Sequence, residues 1–491
     1  MMEEFWNELY EGDIHARDHL QFELKNEFAV RPDLTDNIFK QEFFLFIPNP
    51  LQINSETYSK EQFYQDQTNL IRYTTPTMSL TELIEPANNF SPLIRLQQLM
   101  TQEDFSLSAA SDELKLLGNI FHVAMSEQVF ELYHELNTHT LKMSAIPSFI
   151  QETQRVLLFF RDLLEKGHQR HSSALHRDFR YVDEYMSLSV NEFFLLLLKQ
   201  MDESACADKQ QLIQVIQQEE NYRHVHHLEP QSKEKESILY RQGLLNRFML
   251  EALMLKTHRQ SLQDKQGDIL GALAAGVAMF AYTLLFVWKI SNFVINSFPF
   301  VFLAVVFYIL KDRLKEWLKR IYFREAYRWF PDYSTNIIHD KKEIMGLLKE
   351  NFAFIEPHQL PPHFLKLRQT CFHEELESLH RHETIIQYKR ELILQRHGPF
   401  RVKRRQGLTT IFRLNIYQFL RKASNPFQPY LRLDETTQTV DSQPLPKVYH
   451  LNLIIRNTSV NGEEIKMFRV VVDKLGIKRV ESIQKEKGYE G

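Results

Sequence analysis

Read for its apolar and polar positions, the chain is dominated by residues 269–310, where two uncharged runs stand back to back. Residues 269–288 carry no charge over 20 positions and residues 290–310 none over 21, with Lys289 alone between them. A stretch of about 20 apolar residues matches a hydrocarbon layer roughly 30 Å thick. The expectation is a central transmembrane helical hairpin over 268–310, with Ile269, Gly271, Gly276, Trp288, Phe298 and Leu310 as its membrane residues. Trp288 and Lys289 place an aromatic ring and a charge at the end of the first run, where an interface favours both. Gly271 with Ala275, and Ala272 with Gly276, lie four apart and would let a second helix approach closely. The second run opens on Ser291, Asn292, Asn296, Ser297 and Pro299, and its strongly apolar part, 298–310, has 13 residues. It is therefore either a full span that hides Asn296 or a shorter, re-entrant one. The competing reading is a buried core hairpin of a soluble protein.

The flanks set the expected orientation. Seven basic residues fall between 311 and 328, while Lys256, Arg259 and Lys265 precede the first run. Lys and Arg beside spans are retained on the cytoplasmic face. The expectation is thus a two-span membrane protein with both termini cytoplasmic. Residues 311–327 read as an amphipathic helix, and Lys311, Arg313, Lys315, Lys319 and Arg320 are candidates for contact with anionic lipid.

Upstream, Leu114, Leu117, Ile120, Phe121, Ala124, Val129 and Leu132 recur at three- and four-residue spacing, the mark of an amphipathic helix. Helical patterns follow over 150–164, 181–201, 206–218 and 237–262, and further helical segments are expected at 341–352 and 364–380. Strand patterns stand out at 20–24, at 39–53 and at the C-terminal end. There 448–456 and 465–472 form an expected hairpin with Asn461-Gly462 in its loop, followed by a turn at 473–476. Residues 385–394 and 408–419 are further strand candidates. The organisation expected is a small mixed region at 1–92, a cytosolic helical bundle at 93–267, the hairpin at 268–310, a basic juxtamembrane helical region at 311–382 and a β-containing region at 383–491. The fold class is mainly α with a smaller β part: a membrane-anchored helical bundle and a C-terminal α+β region with a small antiparallel sheet.

Composition narrows the partners. A net charge of −4 over 491 residues makes nucleic acid an unlikely general partner. Two cysteines, Cys206 and Cys371, cannot build a disulfide framework. The acidic N-terminal residues lack the apolar core of a secretory signal. With 14 glycines, phosphate loops have few places to form, and no Walker lysine, Gly-x-Ser-x-Gly elbow or Cys-x-x-Cys pair occurs.

Candidate chemistry is sparse. His134 and His139 lie five apart, not the four that would put two imidazoles on one helical face as in zinc proteases. Glu220, His224 and His227 fall at i, i+4 and i+7, a spacing able to present a carboxylate and two imidazoles to a metal. His373, Glu377 and His380 repeat the pattern. For both sets the plainer reading is a solvated polar helix face. Arg404 and Arg405 belong to a basic cluster at 396–405 that suits anionic lipid or the phosphates of a nucleic acid, with a solvated loop as the plainer reading. No catalytic site emerges and no cofactor is expected. The leading functional expectation is a membrane-anchored cytosolic scaffold or adaptor that holds partner proteins at the inner membrane face. The alternatives are a membrane-bound enzyme or sensor using the His/Glu faces, and an oligomeric membrane-perturbing or pore-forming protein assembled through the first run. The expected partners are membrane lipid, unidentified proteins and further copies of the chain.

Overall fold

The computed structural model describes residues 14–31, 34, 36–101, 106–138, 144–168, 173–201, 206–228, 235–261, 331–338, 344–370, 383–395, 407–433, 439–460 and 462–483, with scattered positions between 272 and 317. The chain divides into two compact units. One is built on residues 71–255; the other draws together segments of 7–70, 256–398 and 410–491.

The second unit is a β structure. Its large sheet is antiparallel throughout and runs in the order β14 (Gly476–Ser482), β13 (Gly462–Asp473), β12 (Tyr449–Ser459), β3 (Asp36–Pro48), β8 (Glu383–Gln395), β7 (Ile344–Ile355), β6 (Tyr333–Ile338) and β5 (Lys256–Ser261). A smaller sheet orders β1 (Ile14–Ala16), β2 (Gln21–Ala29), β9 (Gly407–Asn415) and β4 (Gln67–Tyr73). Strand β3 shows why its sequence reads as a continuous apolar run. Phe43, Leu45 and Ile47 enter one core, with Phe22, Leu24, Phe412 and Leu414 of the small sheet. Phe44 and Phe46, on the opposite face, enter another, beneath Phe364 and Leu367 of the helix Pro362–Thr370. Successive side chains of a strand point to opposite faces, so a strand covered on both sides is apolar at every position. At the β13–β14 turn Gly476 has φ 144°, and an added Cβ would stand 2.1 Å from the carbonyl oxygen of His19. Only glycine fits there.

A polar row crosses this apolar face in register. Tyr333 of β6 lies opposite Glu350 of β7, Glu350 opposite Arg390 of β8, Arg390 opposite Gln41 of β3, and Gln41 opposite Asn457 of β12. Glu350 is 2% exposed and Arg390 4%. Leaving one such group unpaired would cost about 1–3 kcal/mol, more for a charge, so the row persists only through its partners. Arg390 donates to Gln41 Oε1 at 2.5 Å, Asn69 Oδ1 at 3.0 Å and Thr410 Oγ1 at 3.0 Å. Glu350 Oε1 accepts from Tyr388 Oη at 2.6 Å, Asn69 Nδ2 at 2.7 Å and Gln67 Nε2 at 3.2 Å. Gln41 donates to Asn457 Oδ1 at 2.7 Å, and Asn457 to Asn26 Oδ1 at 3.3 Å. Burial, followed by the Glu350 carboxylate, pushes the Tyr388 phenol well above its ordinary range. Burial alone pulls Arg390 down to about 10, against the influence of Tyr388 and Glu350, so the guanidinium is still charged at neutral pH. Beside the row, α1 (Lys60–Asp66) brings Lys60 Nζ to 2.7 Å and Tyr64 Oη to 3.0 Å from the carboxylate of Asp332.

The first unit is a helical bundle of α2 (Leu80–Ile84), α3 (Pro92–Thr101), α4 (Leu107–Asn137), α5 (Ala145–His168), α6 (Ser173–Gln200), α7 (Cys206–Val225) and α8 (Lys235–Leu250). The helix α4 starts where Ser106 Oγ accepts from the Ala109 amide, and it buries Leu114, Leu117, Ile120, Phe121 and Ala124, as its periodicity predicts. An ion cluster ties three helices together. Arg161 of α5 bonds Asp183 of α6 at 3.0 Å and both oxygens of Glu219 of α7 at 2.9 and 2.7 Å, over the Tyr222 ring. Between Tyr185 and Phe193, burial holds the His122 imidazole down at about 4.

Several expectations are corrected here. The fold is not mainly α with a small C-terminal sheet: among the described residues strand makes up 34% against 49% helix, and an antiparallel sheet of eight strands is the largest sheet. The described part of the segment expected to be helical over 341–352, residues 344–352, is no helix but holds most of β7, and the helix expected over 237–262 ends at Leu250, with β5 beyond it. The described positions between 272 and 309 are helical and, apart from half-buried Ala275, exposed. Among the described residues, however, no helix is long and apolar enough to cross a membrane. That overturns the transmembrane hairpin, the membrane-anchored bundle and the two-span location with both termini cytoplasmic. The physical reason is that a span needs about 20 apolar residues in one unbroken helix. An uncharged composition states only that side chains avoid water, not what covers them. In the second run 13 strongly apolar residues would reach only about 20 Å as a helix.

Two outcomes test this packing. Arg390→Leu leaves Glu350 without its cross-strand cation and should destabilise the protein by about 3–5 kcal/mol, and Arg390→Lys, which cannot reach three acceptors, by roughly 1.5–3 kcal/mol. Hydrogen exchange of strands β7 and β8 measures both. A loss below about 1 kcal/mol for the leucine variant contradicts the role given to the row. His122 titrates near 6.5 when unfolded and near 4 when folded, so it supplies stability above pH 6.5 that is lost as pH falls toward 4, up to about 3 kcal/mol. Urea midpoints of the native chain and His122→Leu should diverge between pH 6.5 and 4.5; parallel curves would contradict the assignment.

Candidate functional site

The residues singled out by spacing do not converge. Glu220 and His224 are exposed on the last turns of α7, and His227 lies beyond the helix end with φ 51°, so the i, i+4, i+7 face ends before its third member. Glu220 Oε1 sits 3.5 Å from Asn191 Nδ2. Among the described residues no group of three His, Cys, Asp or Glu side chains is placed to hold a metal. His373, Glu377 and His380 lie outside the described residues, as do His139, Ile269, Gly271, Trp288, Leu310, Lys311, Lys315, Lys319, Arg320, Arg404 and Arg405. Gly276 and Phe298 are exposed, and Arg313 is an exposed cation 3.7 Å from Glu316.

What the fold presents instead is a ribbon. Among the described residues, strands β10 (Phe427–Leu433) and β11 (Val440–Pro446) pair only with each other, and all 14 of their residues are exposed. Its root is fixed to the sheet. The Lys447 amide donates to the Pro426 carbonyl at 2.8 Å, and the Ser424 amide to the Tyr449 hydroxyl at 3.0 Å, at the start of β12.

The register sorts the ribbon into two unlike faces. Phe427 lies opposite Pro446, Pro429 opposite Pro444, Leu431 opposite Ser442 and Leu433 opposite Val440. Directly opposed residues share a face, so these eight form one, with Ser442 its single polar member. The other face carries Gln428, Tyr430, Arg432, Asp441, Gln443 and Leu445, with Arg432 opposite Asp441. On the apolar face Phe427 is 56% exposed, Leu431 67%, Leu433 59% and Val440 68%.

The prolines decide how this ribbon can be used. Proline has no N–H, so the Pro429–Pro444 pair is a non-hydrogen-bonded one, and the backbone amides of the same alternating set point outward. Of the eight outward positions (427, 429, 431, 433, 440, 442, 444 and 446), three are proline. Both edges are therefore blunted against an added strand, while the apolar face stays open.

Sequence reasoning passed over this element although its signal is present. Positions 427, 429, 431 and 433 alternate with polar or aromatic neighbours, and 440 and 444 have the polar neighbours Asp441 and Gln443. The prolines hid the pattern, because proline within a run counts against a strand. The chain as a whole gave no match to any protein-family model, curated protein or solved structure with which it was compared.

Because none of the described residues packs on the ribbon, Leu431→Asp should leave the urea midpoint of the full chain unchanged within about 0.5 kcal/mol, whereas Leu453→Asp, in the buried core, should abolish folding. A large loss from Leu431→Asp in the isolated protein would mean that this face is already covered.

Proposed function

We propose that this chain is a non-catalytic adaptor that captures an amphipathic helix of a partner protein on the apolar face of the β10–β11 ribbon. One observation carries the reading: an exposed two-stranded ribbon with an uncharged apolar face and proline-blunted edges. An isolated ribbon is marginal in water, so such an element gains stability by being covered. The blunted edges argue against backbone addition, and the uncharged face selects an apolar surface. Seven residues per strand give a face about 23 Å long and 10 Å wide, the length of a helix of about 15 residues. Its area, about 230 Å², is far below the roughly 800 Å² per partner of a stable protein–protein interface. That favours a short helical segment over a second copy of the chain.

The test places a photo-crosslinking residue at position 431 of the full-length protein in its native cells and maps the captured peptide. The expected product joins position 431 to the apolar side of a helical segment in another protein, and Leu433→Asp abolishes it. Crosslinks only between copies of this chain, to an extended segment, or unaffected by Leu433→Asp would overturn the reading.

A further inference from the structure

A second site lies in the helical unit and rests on different residues. At the start of α6 a cavity of about 380 Å³ is lined by Ser173, Arg177, Arg180, Tyr181 and Glu184, with Arg241 of α8. Three guanidinium groups thus face one carboxylate. That carboxylate is already taken: Glu184, 2% exposed in its side chain, accepts from Arg241 Nε and Nη2, both at 2.6 Å. Arg180 Nη2 is held by the backbone carbonyls of His226 and His227 at 3.2 and 3.1 Å, where the chain leaves α7. Those carbonyls fix the position of the guanidinium but do not neutralise it, and among the described residues Arg180 has no carboxylate partner. Arg177 is 3.8 Å from Asp178, whose other oxygen is engaged at 2.6 Å by Ser111 Oγ. The first turn of α6 contains no acidic residue, so its amide dipoles add to the positive potential.

We infer that this pocket binds a small organic phosphate. The planar fork of arginine matches phosphate oxygens two at a time; the Arg180 guanidinium, held by backbone carbonyls, and that of Arg177, only loosely paired with Asp178 at 3.8 Å, supply the charge that a phosphomonoester brings. The cavity falls in the size range of small-molecule sites and exceeds what a bare phosphate fills. Tyr181 borders the remaining space, its ring fixed edge-on against Phe248 at 5.4 Å, and forms an apolar wall for the organic part. Arg177 and Arg180 bind the phosphate; Glu184 positions Arg241.

Calorimetric titration of the full-length protein with inorganic phosphate, phenyl phosphate and benzoate tests this. Phenyl phosphate should bind saturably and more tightly than inorganic phosphate, and benzoate more weakly than phenyl phosphate. Arg177→Gln, at an exposed position on α6, should weaken phenyl phosphate about tenfold, since a hydrogen bond to a charged group contributes roughly 1.5–3 kcal/mol. Arg421→Gln, outside the pocket, should leave it unchanged. No saturable binding up to roughly 10 mM, equal affinity for benzoate, or an unaltered affinity in Arg177→Gln would each overturn the assignment.

Discussion

The β unit depends on a constraint that works against the usual logic of a core: a row of polar side chains runs through it. Tyr333, Glu350, Arg390, Gln41 and Asn457 occupy five adjacent strands at matched positions on the core-facing side of the large sheet. An apolar sheet tolerates a slip of two residues, because the same faces stay inside and outside. Here a two-residue slip of β8 against β3 would put Arg390 opposite Phe39 or Phe43 and leave a buried cation without its acceptors. Hydrophobic burial therefore selects the face, and the row selects the register. Breaking a buried pair costs several kcal/mol, while a uniformly apolar row would be no less stable. The row is thus better understood as a device for uniqueness than as a source of strength.

A sheet fixed in this way is a rigid base for what it carries. The strand β12 contributes Asn457 to the row and begins at Tyr449, whose hydroxyl accepts from Ser424 at the root of the ribbon. Covalent and hydrogen-bonded continuity thus runs from the most constrained part of the unit to its most exposed element. The helical unit solves its own buried-charge problem differently. Arg161 gathers Asp183 and Glu219 from two neighbouring helices, so each carboxylate is met by a cation or a hydroxyl. Burial raises the Asp183 carboxyl, while Arg161 and Tyr222 pull it back down. In that unit Arg180, near the start of α6, stands out because backbone carbonyls place its charge and, among the described residues, no carboxylate cancels it.

Much of the helical unit was legible in the sequence, since the 3.6-residue period survives wherever the buried stripe is apolar. Leu114, Leu117 and Phe121 give α4 in this way, and the hairpin of β12 and β13 was equally plain from Val470, Val471 and Val472 against Leu451 and Leu453. The large sheet was not. In β7 the buried positions on the core-facing side are Gly346, Leu348, Glu350 and Phe352, with Met345 buried on the other face, and in β8 they include Tyr388 and Arg390. A charge at every such crossing breaks the two-residue alternation from which a strand is recognised. The pairings that complete the row join β3 to β8 and β12 across more than 300 residues, and no local pattern encodes that. Conversely, the apolar runs at 269–310 spoke loudly about aversion to water and were silent about what satisfies it. The ribbon and the arginine pocket were missed for a shared reason: both are made of residues, prolines and spaced arginines, whose meaning appears only once their neighbours in space are known.

The most direct test of the register argument is disulfide trapping between cysteines placed on β3 and β8, with Cys206 and Cys371 replaced by serine. Ile38 and Ile393 lie directly opposite each other on the two strands. Opposed Cα atoms stand about 4.5–5.5 Å apart, within the reach of a disulfide. With the row intact, cysteines at 38 and 393 should crosslink efficiently, and cysteines at 38 and 391 should not. When Glu350 and Arg390 are both replaced by leucine, crosslinking should spread to the 38–391 pair as the register loosens. A chain without the row that still crosslinks only at 38–393 would show that hydrophobic packing alone fixes the sheet, and the account would fail.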